Sequence, residues 1–149
     1  MEEIFAGCIC KLAGLLFTVV KGMKKDIENR QDIELLIKQF YNKVITDDII
    51  GYIFNDVAKV NWPTHLPIMY DFWESVIFYT GTYRGNPINL HRELNAKEPL
   101  TPLHFKQWLL LFTGTVDELF EGEKAELAKQ RGISIATMLQ VKIAQPGLT

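Results

Sequence analysis

The chain has 149 residues, 48% of them hydrophobic and 23% charged, with a formal charge of −2. So large an apolar fraction excludes a disordered chain, and a near-neutral balance leaves no basic stripe for a nucleic-acid backbone. The two cysteines, Cys8 and Cys10, stand close together near the N-terminus, which excludes a disulfide framework and makes a reducing compartment the default.

Residues 4–20 form an apolar stretch whose only charge is Lys11, followed by Lys21, Lys24 and Lys25. As a helix it would reach about 25 Å, slightly short of the roughly 30 Å hydrocarbon core of a bilayer. Glu2 and Glu3 stand where a secretory signal needs basic residues, and no small-residue cleavage site follows. Phe5-Ala6-Gly7-Cys8 has the form of a lipoprotein box but leaves no room for an apolar region ahead of it. Two readings stay open: residues 1–22 are an over-extended start ahead of Met23, or they are an uncleaved anchor that leaves the rest of the chain in the cytoplasm. Membrane contact is expected only if 4–20 act as that anchor. Without it the protein is expected to be cytoplasmic.

From Met23 onward the pattern is helical. Asn29 is a candidate N-cap with Asp32 three residues later, and Ile33, Leu36, Ile37, Phe40 and Val44 then recur on one helical face until Thr46-Asp47-Asp48. Residues 49–57 read as a shorter helical piece. Asn61 or Thr64 can cap the next helix. Because Pro67 is tolerated only within a first turn, that helix is expected to start near Thr64, with His65, Met69, Phe72, Trp73, Val76 and Ile77 on one broad face. Thr80-Gly81 and Tyr83-Arg84-Gly85-Asn86-Pro87 are loop chemistry. A short apolar segment, 88–94, carries His91. Thr101-Pro102 marks a helix start, with an apolar helix running on to Gly122, and a last helix is expected over about 123–142 with Ala128, Ile135, Met138 and Leu139 inward. No run alternates with period two, so the domain reads as all-α.

The residues remove several chemistries. Ser75 and Ser134 are the only serines and neither lies in a G-x-S-x-G context, and no phosphate-cradling glycine loop occurs. The cysteines lie far from any histidine, against a zinc site, and no C-x-x-C-H is present for covalent haem attachment. His65, His91 and His104 remain. His104 falls in a first helical turn, where it can simply be exposed. His65 and His91 adjoin dense aromatic runs, and two such histidines in an apolar all-α domain could hold a planar cofactor between helices. The plainer alternative is that they are capped or half-exposed histidines and that Phe72, Trp73, Trp108 and Phe112 are core.

Taken together, Phe40-Tyr41, His65-Leu66-Pro67, Asp71-Phe72-Trp73, Tyr83-Arg84-Gly85-Asn86-Pro87, His91, His104-Phe105 and Trp108-Leu109-Leu110-Leu111-Phe112 resemble a group III truncated haemoglobin. The likeness runs from about Lys24 to Ile143, and the chain shares with that group the lack of any Gly-Gly pair. The resemblance implies a truncated globin domain over 23–149, in which two pairs of helices, two over two, sandwich haem b. It implies His91 as the proximal iron ligand, Tyr41 and Trp108 as distal hydrogen-bond donors, His65 as a gate at the pocket mouth, and Met69 and Trp73 as cavity lining. His104 does not match the proximal position. Tyr83, Arg84 and Arg92 are candidates by position for the haem carboxylates.

The expected function is binding of O2, and of NO, CO or cyanide, at a His-ligated haem iron, for ligand transport, sensing or detoxification. An NO dioxygenase or peroxidase-like enzyme is the alternative. It would need an external reductase, because the chain has no flavin or nicotinamide domain. A cofactor-free helical interaction module is the remaining alternative.

Overall fold

A computed structural model describes residues 23–145; the apolar stretch 4–20 lies outside the described residues. Five α-helices follow one another: α1 (Arg30–Val44), α2 (Trp62–Phe78), α3 (Pro87–Lys97), α4 (Pro102–Leu119) and α5 (Glu123–Ala144), with a π-helical turn, Ile53–Val57, between α1 and α2. No strand occurs among the described residues. No described helix is long and apolar enough to cross a membrane.

Local chemistry starts most of these helices where the sequence places them. The Asn29 side chain accepts from the Asp32 backbone N–H at 3.1 Å, satisfying one of the free donors at the start of α1. One face of α1 then buries Ile33, Leu36, Ile37, Phe40 and Val44. Asn86 caps α3 by accepting from Asn89 N–H at 3.2 Å, with Pro87 in the first turn. At α4, Thr101 N–H donates back to His104 Nδ1 at 3.2 Å.

Three expectations are corrected. Residues 49–57 do not form one regular helix: Asp47 Oδ1 accepts from Ile49 and Ile50 N–H, both at 2.9 Å, and the chain then widens so that Ala58 N–H donates to Ile53 O, five residues back. That wider turn is followed by Lys59 at a φ of 49°. Helix α2 starts at Trp62, capped by Asn61, rather than near Thr64. Pro67 consequently falls in the second turn and leaves the Pro63 carbonyl without its helical donor. Both prolines are exposed, so the break lies at the protein surface and costs less than it would in a core. Finally, α5 extends to Ala144.

Helices α1 and α2 pack as one pair and α4 and α5 as the other, joined by α1 against α4 and by α2 against α5, while α3 packs on α5. This is the expected two-over-two sandwich. Phe112 of α4 lies at its centre, stacked on Trp73 at 4.4 Å between centroids and on Trp108 at 5.3 Å. Gly132 lets α5 come close: a Cβ there would lie 3.0 Å from the Phe112 ring. A second cluster, in which Phe105, Ala136 and Leu139 are buried against Ile88 and Leu100, joins the α3 side to α4 and α5.

The segment ahead of α1 belongs to the domain. Asp26 accepts from Lys124 and Ala125 N–H, each at 2.8 Å, and so caps α5 from the far end of the sequence. Lys25 O accepts from Glu121 N–H at 3.0 Å. Gly122, at a φ of 146°, makes this fit possible, since a Cβ there would meet the Asp26 carboxyl carbon at 2.5 Å.

Candidate functional site

The two pairs and α3 enclose a cavity of about 520 Å³, within the range of small-molecule and cofactor sites. Its roof comes from α1, the π-helical turn and α2, and its floor from α3 and α5, with α4 closing one side. Tyr41, His65, Met69, Trp73, Trp108 and His91, the six residues singled out from the sequence, all line it. They share it to different degrees: Trp73 is 2% exposed and locked in the aromatic stack, so it is core as much as cavity wall.

His91 lies on α3, one turn after Pro87. Its Nδ1 is 2.6 Å from Pro87 O; a carbonyl can only accept, so Nδ1 carries the proton and Nε2 keeps a free lone pair. Burial lowers the His91 pKa, against the opposing pull of that carbonyl. The ring is therefore neutral at pH 7, which is the form that ligates a metal. His65 faces it from α2. Burial, with a smaller contribution from the protonated form of His91, lowers the pKa of His65 as well.

Tyr41 is 6% exposed and caged by the rings of Phe40, Trp62, Phe54 and His65, with centroids between 4.8 Å and 6.0 Å away. Burial raises its pKa far above the ordinary phenol value, so it remains a hydroxyl donor. No described side-chain atom is both sealed off and unpaired. The Tyr41 hydroxyl, which has no hydrogen-bond partner among the described residues, therefore opens into the cavity. Trp108, stacked on Phe112, lines the cavity from α4 and carries a second N–H donor.

Sequence reasoning missed part of this site. Ile50, Ile53 and Phe54 complete the roof, and Phe54 stacks on Trp62 at 6.3 Å; Trp62 beside the Asn61 cap was the available signal. Of the three residues put forward for the haem carboxylates, Tyr83 lines the cavity but Arg84 and Arg92 do not, and the Arg92 side chain instead donates to Lys142 O at 3.4 Å. The cations that do line it are Lys59 and Lys97. His104 is also in the wall rather than simply exposed.

The donor set limits what this cavity can take. No group of three or more His, Cys, Asp or Glu among the described residues could hold a metal ion by itself. What the cavity offers is the His91 imidazole with a free Nε2 lone pair, an apolar slot beneath aromatic rings, and a tyrosine and a tryptophan in its wall that carry hydrogen-bond donors. That set suits a flat apolar group that carries a metal already ligated in its own plane.

No family profile matches the chain. The group 3 truncated hemoglobin of Campylobacter jejuni is 30% identical over 121 residues, covering 79% of this chain and 93% of that protein. The crystal structure of the group III truncated hemoglobin from the same species superposes with a TM-score of 0.72 at 28% identity, covering 85% of this chain and all of that one. With this identity and coverage, and with the same helical sandwich around one cavity, the chain belongs to the group III truncated haemoglobin family and is a globin.

Proposed function

We propose that the cavity holds haem b on His91 and that the protein binds O2 and other diatomic ligands on the opposite face, beside Tyr41, Trp108 and His65. The observation that carries this reading is the pairing of His91, whose Nδ1 is tied to Pro87 O, with a buried Tyr41 that has no hydroxyl partner among the described residues. Haem held there by His91 would supply an iron able to bind a diatomic ligand.

The chain's own residues do the rest. The Pro87 carbonyl fixes the His91 tautomer and ring orientation and makes Nε2 a better donor. Tyr41 and Trp108 each present a hydrogen-bond donor to a ligand oxygen that gathers negative charge. Such charge-assisted bonds contribute roughly 1.5–3 kcal/mol, enough to slow release by tenfold or more. His65, half-buried at the cavity edge and packed edge-on to Trp62 and Tyr41, can turn between a third polar contact and an open mouth. Tight retention of this kind suits sensing or ligand chemistry better than bulk transport.

Purified protein titrated with haemin tests the reading. A sharp Soret band at one haem per chain, absent or strongly weakened in His91→Ala, supports it. A wild-type protein that takes up no haem refutes it and leaves the cofactor-free interaction module.

A further inference from the structure

Helix α3 carries His91, yet none of its residues is fully buried. Its apolar anchorage is mainly Ile88, packed into the small cluster with Phe105 and Leu139. Its polar ties are equally sparse. Arg92 reaches α5, and among the described residues one side-chain hydrogen bond alone joins the end of α3 to the roof of the cavity: Tyr52 Oη donates to Glu98 Oε1 at 3.0 Å.

Both ends of that bond are held. Tyr52 stands between Ile50 and Ile53, 1% and 3% exposed, so the roof fixes where its ring emerges. Glu98 caps the C-terminus of α3, its N–H donating to Leu94 O at 2.9 Å. His104 then sets the direction of the bond. Because Thr101 N–H donates to His104 Nδ1, that nitrogen is the acceptor and the ring proton sits on Nε2, which lies 3.5 Å from Tyr52 Oη. Tyr52 therefore faces a donor on one side and, on the other, gives its own hydrogen to the Glu98 carboxylate.

We infer that Tyr52 is a positioning residue: its bond to Glu98 clamps α3 against the roof of the cavity and so holds His91 at its station. The inference rests on the haem reading above and adds to it a residue outside the cavity that acts only through the helix bearing the ligand. With so little apolar burial holding α3, this one tie carries a large share of the constraint. Its loss lets the helix swing outward about the Asn86-Pro87 end, where the Asn86 cap remains.

The test uses the full chain reconstituted with haemin. Readouts are the rate of haem transfer to an excess of a tight-binding apoprotein scavenger and the iron–histidine stretching band of the ferrous protein. Tyr52→Phe and Glu98→Ala should each speed haem loss about fivefold, the change expected of one half-exposed hydrogen bond, and should shift that band. Glu98→Gln, whose amide oxygen accepts the same bond, should restore both, whereas a role of the Glu98 charge alone would not be rescued. Wild-type transfer rates and an unshifted band in Tyr52→Phe and Glu98→Ala, in a protein that still needs His91 for its Soret band, overturn the clamp and leave the haem reading standing. A Glu98→Gln variant that behaves like Glu98→Ala also overturns it. If the wild type takes up no haem, or His91→Ala keeps it as tightly, the haem reading itself fails and the clamp with it.

Discussion

Tyr41→Phe should move stability and ligand retention in opposite directions. The substitution removes one oxygen and leaves the ring among Phe40, Phe54, Trp62 and His65, so no packing is lost. In the ligand-free protein the Tyr41 side chain is buried, its hydroxyl has no partner among the described residues, and it opens into a mostly apolar cavity. Burying an unpaired hydroxyl costs about 1–3 kcal/mol in proteins. Water in the cavity offsets part of that, so the phenylalanine variant should be more stable by about 1 kcal/mol. In the liganded protein the same oxygen is a donor to a partly negative diatomic, and its loss removes about 1.5–3 kcal/mol of retention, or roughly tenfold to hundredfold in O2 release. Urea denaturation of the cofactor-free protein and stopped-flow O2 dissociation from the reconstituted ferrous protein measure the two halves. A less stable variant with an unchanged off-rate would sink the argument, because it would mean that the hydroxyl is bonded within the protein and plays no part at the ligand.

His91→Ala should abolish the tight phase of a haemin titration while His104→Ala leaves it intact, since His104 Nδ1 is engaged as an acceptor at the start of α4; the reverse result would reassign the proximal ligand. Asp26 is held below the ordinary carboxylate range because backbone N–H groups of Lys124, Ala125 and Ile27 outweigh the opposing effect of burial. A depressed folded pKa means stability that is present above the unfolded value of about 3.9 and is lost as pH falls through the folded value beneath it. Asp26→Asn should therefore cost roughly 1–2 kcal/mol at pH 7 and progressively less as the pH falls through the folded value, read as chemical denaturation at several pH values; a cost that does not change with pH would contradict the assignment. Gly122→Ala should be destabilising by about 2 kcal/mol, from a φ of 146° that side chains rarely adopt and a Cβ driven into Asp26, and an unchanged denaturation midpoint would show that Asp26 does not sit on that helix end.

How far each feature was legible follows from the range over which its cause acts. Asn29 with Asp32 and Thr101 with Pro102 are caps made within three or four residues, so the starts of α1 and α4 can be read locally. The start of α2 could not. Whether Pro67 can occupy a second turn depends on whether the Pro63 carbonyl reaches water, a property of the folded surface. The same holds for 49–57, where a π-helical turn replaces the expected helix while facing Ile50, Ile53 and Phe54 inward. Spacing alone set His65 and His91 ahead of His104 but did not separate those two. Resemblance to one family singled out six residues, and convergence on a single cavity is a property of the packed helices.

The sequence by itself determined the all-α class, the exclusion of nucleotide-loop and serine-hydrolase chemistry, and the family likeness, because apolar periodicity, capping chemistry and motif order are all written along the chain. Tertiary structure decided which cations line the cavity, Lys59 and Lys97 rather than Arg84 and Arg92, and that Asp26 caps a helix beginning nearly a hundred residues later. It also joined Tyr52 to Glu98. Each of these is a contact between segments distant in sequence, whose geometry exists only after the apolar faces have packed, so no local pattern encodes it.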